Sequence, residues 1–218
     1  MLITHQQIAG EIVRQLGLDY EASVSSDREM LYLSRVNSVS VYRINIVIEN
    51  LMENYEVRPS VSGKIGFNAV ESILDKWFKK YHLSDQPFTV RMASREQDIK
   101  IRDPRLEIRS LEDVASVIPF LKVGIYEDVF PFFEKYDRLE KVYNHLKGLE
   151  LEEEVKFLCR PVPIRKMIIY ALFKDADFKP FSERILAAWK ERSSKPNFAR
   201  YYQFMPDLYE ELKVVYES

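Results

Sequence analysis

Apolar positions recur along this chain with two different periods, and the changes of period mark its elements. From Thr4 to Leu16, the residues Ile8, Ile12, Val13 and Leu16 share one helical face. Thr4 is placed to cap this helix and Gly17 to end it. Residues 19–28, DYEASVSSDR, are polar and predict a loop. The period then falls to two. Met30–Val36 is rich in strand formers, and Val39–Met52 carries Tyr42, Ile44, Ile46 and Ile48 on one face. Tyr55, Val57, Pro59 and Val61 alternate with Glu56, Arg58, Ser60 and Ser62. The three runs predict an antiparallel meander with its second turn near Glu53-Asn54. Pro59 has no backbone donor, which predicts an edge position for the third strand.

Helical spacing returns at Asn68. Asn68 and Glu71 have the separation of a capping box, and Val70, Ile73, Leu74, Trp77 and Tyr81 form an apolar stripe. Three short strands are predicted next, Phe88–Met92, Ile99–Ile101 and Leu106–Ile108, with a turn at Asp103-Pro104. From Ser110 onward the pattern is helical. Helix starts are marked by Ser110 with Asp113, by Asp137 with Glu140, and by Pro163, Pro180 and Pro206, while Tyr126–Tyr136 makes a further helix around Pro131. Gly148, Phe173 and Ser193 mark ends, and Leu208, Leu212 and Val215 line the last helix.

Strands and helices are segregated rather than alternating, which predicts an α+β fold. It has an N-terminal helix, an antiparallel sheet of about five to six strands with one packed helix, and an all-helical C-terminal half. The corresponding division is a sheet domain over 1–109 and a helical domain over 110–218, docked as one continuous unit. The build resembles uncharacterised bacterial proteins in outline, and no motif carries a residue's role across.

Composition narrows the chemistry. The chain has 218 residues, 46% apolar and 30% charged, which is globular. Its net charge of −2 supplies no overall positive field for nucleic acid. One cysteine cannot close an internal disulfide, and the N-terminus reads as an amphipathic helix rather than a leader, so a cytoplasmic location is expected. No run approaches the 18 apolar residues of a membrane span. Of the six glycines, only Gly63 and Gly66 lie close together, and "SGKIGFN" lacks both the third glycine of a dinucleotide loop and the ending of a P-loop. His5, His82 and His145 are far apart, without a nearby ligand pair, so neither metal nor cofactor is expected.

Five features remain. Cys159, in FLCRPVPIRK, has Arg160, Arg165 and Lys166 nearby, but no histidine base is placed beside it. The stretch reads better as a joint: Phe157-Leu158-Cys159 ends one element, Arg160-Pro161 turns the chain, and Pro163 opens a helix that buries Ile164, Met167, Ile168 and Ala171 and turns Arg165 and Lys166 to solvent. The carboxylates Glu150, Glu152, Glu153 and Glu154 read as a solvated run. In VFPFFEKY, Val129, Phe132 and Tyr136 share a helical face that reads as core. The strand region 91–109 mixes both charges and reads as solvated surface.

The fifth feature, KERSSKPNFARYYQFMPDLY over 190–209, interleaves Arg192, Lys195 and Arg200 with Tyr201, Tyr202 and Phe204 in a predicted loop. Tyr and Arg are interface residues, and basic residues with aromatics also suit single-stranded nucleic acid. The alternative is that these rings cover the last helices. The expected function is non-catalytic: binding to another protein or to a second copy of the chain through Arg192, Lys195, Arg200, Tyr201, Tyr202 and Phe204. One alternative is an enzyme with a dispersed site between sheet and helices, involving Arg43, Glu49 or Arg58. The other is nucleic-acid binding through 190–204.

Overall fold

A computed structural model describes residues 3–25, 30–50, 55–84, 86–92 and 106–218. The expected turns at Glu53-Asn54 and Asp103-Pro104 and the expected strand Ile99–Ile101 lie outside the described residues, as do the side chains of Glu49 and Arg58. The fold is α+β, with an N-terminal helix, an antiparallel sheet and a helical C-terminal half. Its residues cluster into two units, each built from two chain segments: 1–65 with 91–137, and 66–90 with 138–218.

The first unit begins with α1, His5–Leu16. Thr4 and Gln7 close a reciprocal capping box, and Gly17 ends the helix in the left-handed conformation at φ 63°. The sheet contains β1 Glu21–Val24, β2 Met30–Val36, β3 Ser40–Asn50, β4 Tyr55–Phe67, β5 Val90–Arg91 and β6 Leu106–Ile108. Strands β1 to β5 lie in chain order, and β6 also pairs with β4. The expected loop over 19–28 therefore contains a strand. Glu21–Val24 pairs antiparallel with β2 from the sheet edge, where its side chains stay largely exposed and leave no alternation to read.

The register sets the two faces of the sheet. Leu33 stands opposite Ile44 and Leu31 opposite Ile46, and all four are fully buried. Each such side chain contributes roughly 1.5–3 kcal/mol relative to exposure. The other face carries the pairs Tyr32–Asn45 and Ser34–Arg43. β4 is interior, not the expected edge. Its first residues, Tyr55–Val57, pair with β6, and further along the Gly63 carbonyl accepts from the Met92 N–H at 2.9 Å. Pro59 falls between these two partnered spans, where its missing donor breaks neither.

The helix α3, Val114–Gly124, buries Val114, Val117, Ile118 and Leu121. It runs into a π-helical segment, Ile125–Val129, and then α4, Phe130–Lys135, with Pro131 in its first turn. The expected helix Tyr126–Tyr136 thus begins with a π turn, and Val129, Phe133 and Tyr136 are the buried residues while Phe132 is half-buried. Gly63 permits this approach, since a Cβ there would lie 2.9 Å from Phe133 Cε1 and 3.0 Å from Val129 Cγ1.

The second unit is built around α7, Val162–Leu172, which is buried on nearly every side. It packs against α2, Asn68–Lys80, α8, Phe178–Glu191, and α10, Met205–Glu217. Three shorter helices complete the unit: α5 Leu139–Leu146, α6 Leu151–Phe157 and α9 Pro196–Tyr202. The capping box expected from Asn68 and Glu71 does not form. Phe67 occupies the cap position without a side-chain bond, and the Glu71 carboxylate turns inward. The expected strand over Phe88–Met92 contracts to β5, with Val90 bridged to Leu158.

Candidate functional site

Charge that looked superficial in the sequence lies inside the second unit. Arg165 is 0% exposed. Its Nε and Nη2 donate to the two oxygens of Glu71 at 2.9 and 2.8 Å, and Nη2 also donates to the Gln86 carbonyl at 3.0 Å. Nη1 donates to the Arg160 carbonyl. Thr89 Oγ1 donates to Glu71 at 2.8 Å and accepts from the Phe67 N–H at 3.0 Å. This bidentate network ties α2, α7 and the start of β5 together. Lys166 is also buried and is paired with Glu154. The expectation that Arg165 and Lys166 face solvent fails because α7 has no solvent side at these positions. Likewise Glu154 leaves the expected solvated run, whereas Glu150 and Glu153 close a capping box at the start of α6.

Cys159 is buried, and its backbone N–H donates to the Thr89 carbonyl at 2.9 Å. It sits in the connection between α6 and α7. A third polar centre joins α5 to the turn before α8. Tyr143 Oη donates to Asp175 Oδ2 at 2.6 Å, Lys147 Nζ lies 3.2 Å from the same oxygen, and the Asp177 N–H donates to Oδ1 at 2.8 Å. Burial pushes the Asp175 carboxyl up, but the bonds from Tyr143, the Asp177 amide and Lys147 outweigh it and hold the group below its ordinary value. Bonding to Asp175 correspondingly pushes the Tyr143 phenol up.

The segment 190–209 is helical rather than a loop. Pro196 opens α9 and Pro206 lies in the first turn of α10, positions where a missing N–H costs nothing. Phe204 is 0% exposed and sits among Trp77, Phe78, Tyr81 and Tyr201 with ring centroids 5.6–6.4 Å away. Tyr201 is half-buried and also meets Trp189 at 5.8 Å. Tyr202 is half-buried, while Arg192, Lys195 and Arg200 are exposed. Two of these cations lie over inward-packed rings: Arg192 is 5.6 Å from the Phe198 centroid and Arg200 is 4.4 Å from that of Tyr201. The structure leaves the three cations at the surface and packs Tyr201 and Phe204 inward.

On the sheet, Arg43 is half-buried, 4.7 Å over the Tyr32 ring, and its Nε donates to Ser34 at 3.3 Å. Burial pulls its guanidinium below the ordinary value. Asn45 Nδ2 donates to Ser62 at 3.0 Å, and its Oδ1 is buried without a hydrogen-bond partner among the described residues. Among the described residues, no group of three or more His, Cys, Asp or Glu side chains is placed to hold a metal ion, and no helix is long and apolar enough to cross a membrane.

One surface was missed in the sequence. Beyond its buried face, α3 and the following π turn expose Phe120 at 46%, Val123 at 54% and Tyr126 at 53%. Tyr126 meets the half-buried Phe130 edge-on at 5.1 Å. Phe120 and Val123, three apart, are neighbours on the outer side of α3, and Tyr126 is exposed on the π turn that follows. The signal was present in VASVIPFLKVGIY: a helix with apolar residues on two faces cannot bury both against one sheet.

Compared with known proteins, the chain matches no family model, no curated protein and no solved structure.

Proposed function

We propose that the chain is a non-catalytic protein-binding or self-associating module of the cytoplasm, and that the stripe Phe120–Val123–Tyr126 is its docking face. The observation that carries this reading is three large apolar side chains, Phe120, Val123 and Tyr126, about half exposed along α3 and the π turn that follows it. Scattered apolar residues are normal on a surface, whereas aromatics in a row mark interaction sites and serve as anchors. The stripe suits an apolar helix face of a partner. The exposed cations Arg192, Lys195 and Arg200 favour a partner with acidic groups. They support nucleic acid less well, because single-strand binding needs open rings for stacking, and Phe204 and Tyr201 are packed inward. For the enzyme alternative, Arg43 is committed to Tyr32 and Ser34 on the sheet.

The test compares the wild-type chain with Val123→Ser/Tyr126→Ser, a variant that touches exposed positions only. Sedimentation velocity over a concentration series reads self-association, and affinity capture from source-cell extract reads other partners. The wild type is expected to show a concentration-dependent or captured complex that the variant weakens at least about tenfold, the equivalent of 1.4 kcal/mol. Identical behaviour of the two chains in both assays would refute the proposal.

A further inference from the structure

A cleft in the second unit, independent of the docking face, is lined by two cations, a carboxylate, two aromatic rings and a proline. It is a half-open cleft of about 260 Å³ between α7 and α8, lined by Lys166, Tyr170, Asp177, Pro180, Phe181 and Arg184. Ligand sites for drug-sized molecules run to roughly 300–1,000 Å³, so this one suits an occupant of fewer atoms.

Two cations converge on one ring. Lys166 Nζ lies 5.0 Å and Arg184 Cζ 5.6 Å from the Phe181 centroid. Their situations differ. Lys166 is 9% exposed and neutralised by Glu154, which takes one of its three N–H donors. Arg184 is exposed and forms no ion pair among the described residues. The guanidinium thus brings an uncompensated charge and a planar fork of donors to the pocket, beside a lysine fixed in place by a buried carboxylate. Asp177, also on the lining, stands seven residues before Arg184 on α8, roughly 10 Å along the helix axis. Its charge opposes any anionic occupant, and a doubly charged one about twice as strongly. Tyr170, Pro180 and Phe181 supply the apolar minority of a mainly polar lining.

We propose that this pocket binds a small carboxylate-bearing molecule, with the carboxylate held by Arg184 and Lys166 and its apolar part laid against Phe181 and Pro180. A single negative charge matches the Arg184 fork, and the ring and the proline take up the rest of the ligand.

The experiment is an amide NMR titration of the isotope-labelled full chain with benzoate and, separately, hexanoate. Benzamide serves as the neutral counterpart and inorganic phosphate as the multiply charged oxyanion. Benzoate or hexanoate is expected to give saturable shifts centred on residues 166–170 and 177–184. Benzamide should bind at least about tenfold more weakly, the scale of one lost charge-assisted hydrogen bond. Arg184→Gln, at an exposed position, should weaken carboxylate binding by a similar factor and leave the remaining spectrum unchanged. The proposal is overturned if neither carboxylate gives saturable shifts there, if benzamide equals benzoate, if phosphate binds more tightly than both carboxylates, or if Arg184→Gln binds like the wild type.

Discussion

Replacing Arg165 by methionine should be among the most damaging single changes available to the second unit. The side chain is 0% exposed and donates twice to Glu71 and once to each of the Gln86 and Arg160 carbonyls. Arg165→Met leaves the buried Glu71 carboxylate without its counter-charge, which costs about 3–5 kcal/mol. The two carbonyls lose donors as well, so the upper part of that range is expected. Domains are stable by roughly 5–15 kcal/mol, and much of that margin would disappear. Glu71→Met should cost a similar amount, because it strands the guanidinium. The double variant removes both charges and retains only the cost of the donors lost to the Arg160 and Gln86 carbonyls, the latter still bonded to the Phe88 N–H, and of the acceptor lost to the Thr89 hydroxyl, about 1–3 kcal/mol. The two single effects should therefore be sub-additive by more than about 2 kcal/mol. Both tryptophans, Trp77 and Trp189, belong to this unit, so urea unfolding followed by tryptophan fluorescence reads it directly. A double variant whose cost equals the sum of the singles within about 0.5 kcal/mol would refute the charge argument.

Two further predictions concern acid and backbone. Asp175 is held below its ordinary value in the folded chain, so its contribution is complete above the unfolded carboxyl pKa near 3.9 and is lost as pH falls through the lower folded value. Asp175→Asn should cost about 2 kcal/mol at pH 7, with the gap narrowing below about pH 4; urea melts at pH 7 and pH 3 that show the same gap would count against it. Gly66→Ala places a Cβ 2.0 Å from the Pro87 carbonyl oxygen, a backbone atom that cannot step aside, and should cost about 3 kcal/mol or more. Gly10→Ala, in α1 with nothing within 4 Å of the new Cβ, should instead stabilise by about 0.5–1 kcal/mol. Thermal denaturation of the two variants should move in opposite directions.

What the sequence made legible was local. Thr4, Gln7 and Gly17 act within their own helix, and Leu31, Leu33, Ile44 and Ile46 declare a face by simple alternation. The failures came where a distant partner decides the outcome. Glu71 has the spacing of a capping residue, and nothing near it indicates that Arg165 will claim it. Arg165 and Lys166 fall on the polar side of α7 when the helix is viewed alone, but neighbours cover that side too. In the aromatic run, the π turn at Ile125–Val129 adds a residue to one turn and shifts burial from Phe132 to Phe133. The candidate residues of 192–204 were read as one surface, whereas Phe204 lies in a ring cluster contributed partly by α2. The interleaving of 66–90 with 138–218 leaves no compositional trace, because none of the three junctions carries a linker.

The Glu71–Arg165 bond spans 94 positions of the chain. At synthesis rates of about 5–20 residues per second, Arg165 follows Glu71 out of the ribosome by about 5–20 s. Throughout that interval Glu71 must stay hydrated, and Val70, Leu74 and Trp77 must wait without the helices that later cover them. The carboxylate within this apolar stripe keeps the waiting face wet and hinders premature burial. Arrival of the arginine supplies the counter-charge, and only then does burial of this face cease to carry the cost of an unpaired carboxylate.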